Sequence, residues 1–163
     1  MKNPSGYSRM QITLHWVVVV LVALQYLLSD GISDAYDLAE DTGAYAMSLP
    51  VIGHIAGGAL ILLLACWRLI LRNDRGVPAP PEGEPEVFRR LSHLAHLAIY
   101  ALLILLPVTG ALAWGGRMEA AGDAHEVLKT LLLLLVIAHV GAVAVHQLVW
   151  KTGLMKRMMR AQD

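Results

Sequence analysis

The chain has 163 residues, of which 56% are hydrophobic and 16% charged, and its 13 basic residues balance its 13 acidic ones. The apolar share exceeds that of an ordinary soluble domain, and a net charge of zero gives no reason to expect a nucleic-acid partner. The single cysteine, Cys66, excludes an intramolecular disulfide.

Four apolar segments follow one another along the chain, at residues 12–29, 51–71, 93–114 and 127–150. Each is about as long as a membrane-spanning helix requires. The first is preceded by Lys2 and Arg9, as a signal peptide would be, but no convincing small-residue cleavage pattern follows it, and we interpret it as a retained span. The sequence therefore predicts an all-α membrane protein, with residues 1–163 forming a single bundle of four transmembrane helices.

The basic residues are unevenly distributed between the two sides of these spans. Eleven of the 13 lie around the N-terminus, around the loop between the second and third spans, or at the C-terminus, and only Arg117 and Lys129 fall on the other side. Because lysine and arginine concentrate in cytoplasmic loops, both termini and the loop 72–92 are predicted to be cytoplasmic. The outer loop between the first two spans carries five acidic residues and no basic one.

Histidines are concentrated in these apolar segments. Ionisable residues inside a membrane are rare, and they usually face the interior of a bundle, where they have a functional role. The chain has seven histidines, and one of them, His125, lies at the outer start of the fourth span. The other six lie in or beside a predicted span: His15, His54, His93, His96, His139 and His146.

The spacing of the histidines predicts two levels of imidazoles. His125 and His139 are 14 residues apart, which places them on one helix face about 21 Å apart along the axis. His54, near the outer start of the second span, matches the depth of His125, and His15 lies near the inner start of the first span. Two levels with two imidazoles each are what two bis-histidine haems require. Depth alone leaves the inner partner open, because His146 is closer than His139 to the depth of His15.

Other interpretations were weighed for these residues. A single histidine near a helix end is more often interfacial or hydrogen-bonded than a ligand, and His93 and His96, beside Arg89 and Arg90, fit that description. A histidine-lined transporter of metal ions or protons is a further alternative. The four predicted spans lack the carboxylates that proton relays often use, which disfavours it.

Four stretches of the sequence resemble the bacterial cytochrome b561 family, the four-helix di-haem b membrane proteins that include superoxide oxidase. They are YSRMQITLHW (7–16), IGHIAGG (52–58), LSHLAHLAIYALLILLPVTG (91–110) and HEVLKTLLLLLVIAHVGAVAVHQLVWK (125–151). The resemblance implies that His15 and His139 ligate an inner haem b, and that His54 and His125 ligate an outer one. Both haems would be bound without a covalent link, because a lone cysteine excludes a C-x-x-C-H site.

The resemblance also implies a function: electron transfer in the bacterial inner membrane between a periplasmic donor, either superoxide or a redox protein, and ubiquinone. His96 and His146 then become candidates for hydrogen bonding to the quinone. The acidic outer loop suits a cationic partner better than the superoxide anion. A haem-bearing anchor subunit of a dehydrogenase or hydrogenase is the alternative, and membrane lipid is a partner in either case.

Overall fold

A computed structural model describes residues 4–81 and 83–161. The described residues form six helices and no strand. The helices are α1 (Arg9–Leu27), α2 (Asp30–Thr42), α3 (Leu49–Arg75), α4 (Glu86–Trp114), α5 (Glu119–Leu148) and α6 (Leu154–Arg157).

The four predicted spans are confirmed as α1, α3, α4 and α5, which are long and apolar enough to cross a membrane. All four begin earlier than hydropathy predicted, and two of them do so by about two turns: α4 begins at Glu86 rather than residue 93, and α5 at Glu119 rather than residue 127. Both extensions begin with a glutamate in the first turn, where a negative charge is favourable beside the free N–H groups. Polar first turns extend a helix without adding to its hydropathy, so the apolar segments predicted from the sequence begin later than the helices themselves.

The spans alternate in direction, and each packs against its neighbour in the order α1, α3, α4 and α5. We call the end formed by residues 4–11, 68–81, 83–90 and 146–161 the basic end, and the end formed by residues 26–54 and 110–129 the acidic end. At the basic end, Gln11 Nε2 donates to Gly76 O (3.2 Å), and Trp16 Nε1 donates to Met158 O (2.8 Å). At the acidic end, the Tyr26 hydroxyl donates to Lys129 O (2.6 Å).

The acidic stretch that follows α1 folds as a helix, α2, which hydropathy did not predict. Ala39, on the inner face of this helix, is completely buried. Tyr36 packs so closely on α5 that a Cβ added at Gly122 would lie 2.4 Å from its hydroxyl oxygen. Burial, together with a hydrogen bond to Glu40, raises the pKa of Tyr36 to about 12. The opposite face of α2 carries four exposed aspartates at helical spacing, which we call the aspartate stripe: Asp30, Asp34, Asp37 and Asp41.

The packed core lies half-way along the bundle, between the two levels of histidines. On α5, Leu132 is only 3% exposed and lies seven residues from both His125 and His139. The outer faces are apolar as well, with Leu63 68% exposed and Ile137 60% exposed. Helices with apolar residues on all faces belong in lipid. The six residues of the core cluster are Val18, Ile61, Ala65, Leu102, Leu103 and Leu132.

Candidate functional site

The acidic end brings two predicted ligands together. His54, in the second turn of α3, and His125, in the second turn of α5, have ring centres 6.2 Å apart. Two iron–nitrogen bonds of about 2 Å each, plus roughly 1 Å from each nitrogen to its ring centre, give a separation of about 6 Å. The spacing of the two rings therefore fits one iron atom between them.

Hydrogen bonds to α4 orient His125. Its Nδ1 lies 3.0 Å from Leu106 O and 3.2 Å from Thr109 Oγ1. The Thr109 hydroxyl itself donates to Leu106 O (3.0 Å), so it accepts from the imidazole, and Nδ1 carries the proton. The lone pair is then on Nε2, which is the arrangement that a metal-binding histidine needs.

Glycine permits close approach on both sides of this pair. A Cβ added at Gly110 would lie 3.2 Å from His125 Cε1, so the imidazole lies against the backbone of α4. A Cβ at Gly57 would lie 2.0 Å from Gln25 Nε2, and that nitrogen donates to His54 O (3.2 Å). Gly57, one turn after His54, thus serves the packing of α1 on α3, which fixes the start of α3 where His54 lies.

Nearer the basic end, the structure gathers three imidazoles rather than two. The rings of His96 and His139 are 5.2 Å apart, and His96 Nδ1 lies 2.7 Å from Ser92 O, leaving Nε2 as the lone-pair nitrogen. The ring of His15 packs edge to face on Trp16, with ring centres 5.4 Å apart, and lies within electrostatic range of His139 and His96. Among the described residues, the ring of His139 contacts that of His96. The pairing of His15 with His139 therefore stays a prediction.

The first turn of α1 positions His15. Ser8 and Gln11 form a capping box, in which Gln11 N donates to Ser8 Oγ (3.3 Å) and Ser8 N donates to Gln11 Oε1 (3.0 Å). Arg68 Nη1 donates to Gln11 O (3.0 Å) and ties this turn to α3. His15 follows one turn later, so its depth in the bundle is fixed by contacts of the turn before it.

Arginines lie at the same level as these three histidines. The sequence analysis used the basic residues only to assign which end of the bundle is cytoplasmic. Arg68 and Arg72, four residues apart on α3, approach Tyr7, as does Arg157. Burial raises the pKa of the Tyr7 phenol, while Arg72, Arg157 and Arg68 act in the opposite direction. Neither Arg68 nor Arg72 forms an ion pair with a described residue. A haem carries two propionate carboxylates, and these arginines are the cations that would balance them.

A cavity of about 210 Å³ opens between α3 and α4 at this level. Its polar lining consists of Arg72, His93, His96 and Tyr100. His93, which the sequence analysis placed at the interface, therefore shares a cavity with His96. Its volume is below that of pockets that enclose whole ligands, so it suits the head group of a molecule whose tail lies in lipid.

His146 lies in different surroundings and does not line that cavity. It is 8% exposed, and its Nε2 is 3.4 Å from Glu84 Oε1. Its Nδ1 is 3.2 Å from Thr152 Oγ1, and the ring of Trp150 packs on it edge to face at 4.6 Å. The two predicted quinone residues, His96 and His146, thus have separate partners. Glu84 was missed because it belongs to a linker rich in proline and glutamate.

Together these features define a class of protein, an integral-membrane helix bundle with facing imidazoles. Among residues 4–81 and 83–161, no group of three His, Cys, Asp or Glu side chains could hold a metal ion. Comparison with known families makes the class specific. Residues 6–161 match the family model described as prokaryotic cytochrome b561. The chain belongs to this family, and it is a haem-binding, multi-pass bacterial membrane protein of electron transport.

Curated relatives resemble the chain over nearly its whole length. Cytochrome b562 of Cereibacter sphaeroides is 32% identical over 160 residues, covering 98% of this chain and 99% of the relative. Probable superoxide oxidase CybB of Yersinia pestis is 28% identical over 178 residues, with 94% and 95% coverage. Cytochrome b561 homolog 1 of Escherichia coli (strain K12) is 23% identical over 181 residues, with 94% and 96% coverage.

Proposed function

We propose that this protein binds two haem b groups and transfers electrons between a donor at the acidic end and ubiquinone at the basic end. The acidic end would face the periplasm, with both termini in the cytoplasm, because basic residues concentrate at the basic end. The observation that carries the proposal is the 6.2 Å separation of the His54 and His125 ring centres, matched by a second group of imidazoles two turns beyond the middle of α5.

The haem iron would supply reversible one-electron reduction. At the outer site, His54 and His125 would hold the haem through their imidazoles, and Leu106 and Thr109 hold His125 with Nε2 free. Fixing the tautomer and the ring angle strengthens a histidine ligand.

At the inner site, His15 and His139 would hold the second haem. His15 is held at its depth by the capped first turn of α1, and His139 lies on the α5 face that also carries His125. Arg68 and Arg72 would bind the haem carboxylates from α3. His96 lies beside His139 and is assigned to the adjacent cavity. A ligand role for His96 instead of His15 is the competing arrangement that the ring contact permits.

Ubiquinone would reach the cavity between α3 and α4 from the lipid. His93, His96 and Tyr100 present hydrogen-bonding groups there, and Arg72 adds a positive charge. A quinone oxygen gains negative charge when it is reduced, so donors and a cation stabilise the reduced form. The apolar residues Leu69 and Leu97 complete the lining.

The acidic end favours a basic redox protein as the electron donor over the superoxide anion. The aspartate stripe is exposed along α2, and both nearby cations are already engaged. Arg117 lies over the ring of Tyr45 at 5.1 Å, and Lys129 is paired with Glu126 at 2.6 Å. A negative surface attracts a positive partner and slows an anion.

A reoxidation experiment tests the proposed function. The purified protein is reduced anaerobically and mixed with a short-chain ubiquinone in detergent, while the haem absorption bands are followed. We expect the reduced bands to disappear as ubiquinol forms, two haem electrons for each quinone. Bands that stay reduced with excess ubiquinone, but disappear with ferricyanide, would contradict ubiquinone as the acceptor. Co-purification of a stoichiometric soluble subunit would instead favour the anchor-subunit alternative.

A further inference from the structure

One face of α4 carries a row of polar side chains that runs from its first turn into the apolar part of the helix. Glu86, Arg89, His93, His96 and Tyr100 follow one another at intervals of three or four residues. This spacing places them on one helix face, over about 21 Å along the axis. The apolar segment begins at residue 93, so His93 lies where this face passes from its charged part to its apolar part.

His93 borders two cavities on this face of α4. One is the proposed quinone cavity of about 210 Å³ between α3 and α4. The other, which we call the groove, has a volume of about 420 Å³ and is lined by Glu86, Arg89, Arg90, His93 and Leu94. The groove is open to water, because the side chain of Arg89 is 45% exposed and that of Arg90 is 76% exposed. Among the described residues, His93 is the one that the two linings share.

Of the four polar residues that line the quinone cavity, His93 is the one suited to pass on a proton from water. Arg72 keeps its proton at any accessible pH, and a tyrosine hydroxyl such as that of Tyr100 donates a hydrogen bond while keeping its proton near neutral pH. The Nδ1 of His96 is held 2.7 Å from Ser92 O, so its Nε2 accepts rather than donates. Neither ring nitrogen of His93 has a hydrogen-bond partner among the described residues, and an imidazole takes up and releases protons near neutral pH.

We propose that His93 transfers protons from water in the groove to ubiquinone in the adjoining cavity. The inference rests on the proposed function, because it requires ubiquinone as the acceptor. Reduction of one quinone to the quinol takes up two electrons, which come from the donor through the protein, and two protons, which come from water. In each transfer an N–H bond of His93 breaks while an O–H bond forms on a quinone oxygen. The imidazole then regains a proton from water in the groove.

Electrons and protons would reach the quinone cavity from different sides. On the side of α5, the ring of His96 lies 5.2 Å from that of His139, a proposed ligand of the inner haem. On the other side, His93 is exposed and borders the groove. The histidines of α5 at this end, His139 and His146, line neither cavity in the part of the chain that the structure describes. Proton transfer to the cavity is therefore assigned to α4.

The charged groups beside His93 are mainly basic. In the groove, the carboxylate of Glu86 is engaged by both Arg89 and Arg90. From α3, Arg72 lines the quinone cavity together with His93. A reduced quinone oxygen is negatively charged until it is protonated, and Arg72 would hold that oxygen near His93. The other titratable groups at this end are Tyr7, Arg68, Asp74, Arg75, Glu84, His146, Lys151, Lys156, Arg157 and Arg160.

His93→Ala tests this role in the ubiquinone reoxidation experiment. At saturating ubiquinone, loss of a positioned proton donor should slow reoxidation about 100-fold or more. Reoxidation by ferricyanide, which takes electrons but no protons, should stay at the wild-type rate. Imidazole added to the buffer should restore much of the ubiquinone rate, because the shortened side chain leaves room for it in the groove, and it should leave the wild-type rate unchanged. Asp74→Asn, an exposed acid at the same end that lines neither cavity, should match wild type throughout.

His93→Gln separates proton transfer from hydrogen bonding. A carboxamide can donate a hydrogen bond to a quinone oxygen, but it does not take up and release protons near neutral pH. We therefore expect His93→Gln to be as slow as His93→Ala at saturating ubiquinone, with the same haem spectra as wild type. A residue that only binds the quinone would instead raise the ubiquinone concentration needed for the half-maximal rate and leave the saturating rate unchanged.

Several results would overturn the inference. A saturating ubiquinone rate within twofold of wild type, in either variant, would show that His93 is not the proton donor. An equal loss with ubiquinone and ferricyanide would indicate a structural role, since that would slow both reactions. A loss in His93→Ala that imidazole does not restore would also count against proton transfer. A wild type that reduces no ubiquinone at all would overturn the proposed function as well, and this is recognised without any variant.

Discussion

His125 donates from Nδ1 to the carbonyl of Leu106 at 3.0 Å, a contact between α5 and the turn of α4 that contains Pro107. An interior proline removes one N–H from the helix and bends it. Next to this proline, Leu106 O accepts from the imidazole of the next helix. The two helices are joined at the point where the outer ligand must be oriented.

Thr109→Val keeps the size of the side chain but removes the hydroxyl beside His125 Nδ1. Loss of such a supporting hydrogen bond costs roughly 10- to 100-fold in metal affinity, so the outer haem should bind more weakly by about that factor, while the inner haem is unaffected. Titration of haem into apoprotein measures this. Thr130→Val is the matched control, because Thr130 Oγ1 bonds only to the exposed carbonyl of Glu126 (3.1 Å). Equal haem affinities in both variants would contradict the role of Thr109 in holding His125.

His15→Ala and His96→Ala distinguish the two possible partners of His139. We expect His15→Ala to lose the inner haem and His96→Ala to keep it, because His15 lies one turn after the capped first turn that fixes its depth, whereas His96 lines the cavity. Haem content per chain and reduced spectra measure the outcome. The opposite result, haem lost only in His96→Ala, would show that the close contact of His96 with His139 at 5.2 Å marks the ligand pair.

The aspartate stripe should govern the rate of reduction by a basic redox protein. Asp34→Asn with Asp37→Asn should lower the second-order rate by about tenfold at low salt, since electrostatic steering contributes factors of about 10 to 1,000, and raising the salt should erase the difference. Stopped-flow reduction by a basic cytochrome measures it. Asp74→Asn, an exposed acid at the basic end, is the control. A wild-type rate independent of salt would count against this donor class.

Gly122→Ala should destabilise the packing of α2 on α5, because the new Cβ would lie 2.4 Å from the Tyr36 hydroxyl oxygen. Overpacking of this kind costs about 1–3 kcal/mol, which thermal unfolding in detergent can detect. Gly141→Ala is the matched change on the same helix, where a Cβ would meet nothing within 4 Å, and it should leave the melting temperature unchanged or slightly raised. Equal melting temperatures for both variants would show that Tyr36 is not fixed on Gly122.

The four spans and the facing of His54 and His125 were predictable, because hydropathy and helical spacing depend on local sequence alone. Helix α2 was not predicted, since its acidic composition is also that of a loop, and its position depends on the contact of Tyr36 with Gly122 across the bundle. The same limit applies to Glu84, whose burial follows from the loop folding back onto α5. Spacing also cannot separate His15 from His96 as the neighbour of His139, because that choice depends on how α1 and α4 pack.

Haem quantification in purified wild-type protein and in His125→Ala tests the central claim most directly. We predict two low-spin b haems per wild-type chain and one in His125→Ala, because the 6.2 Å pair of His54 and His125 holds one of them. His93→Ala, which removes a histidine not assigned to iron, should keep both. A wild-type chain with one haem, or a His125→Ala variant with the same haem content as wild type, would contradict the account.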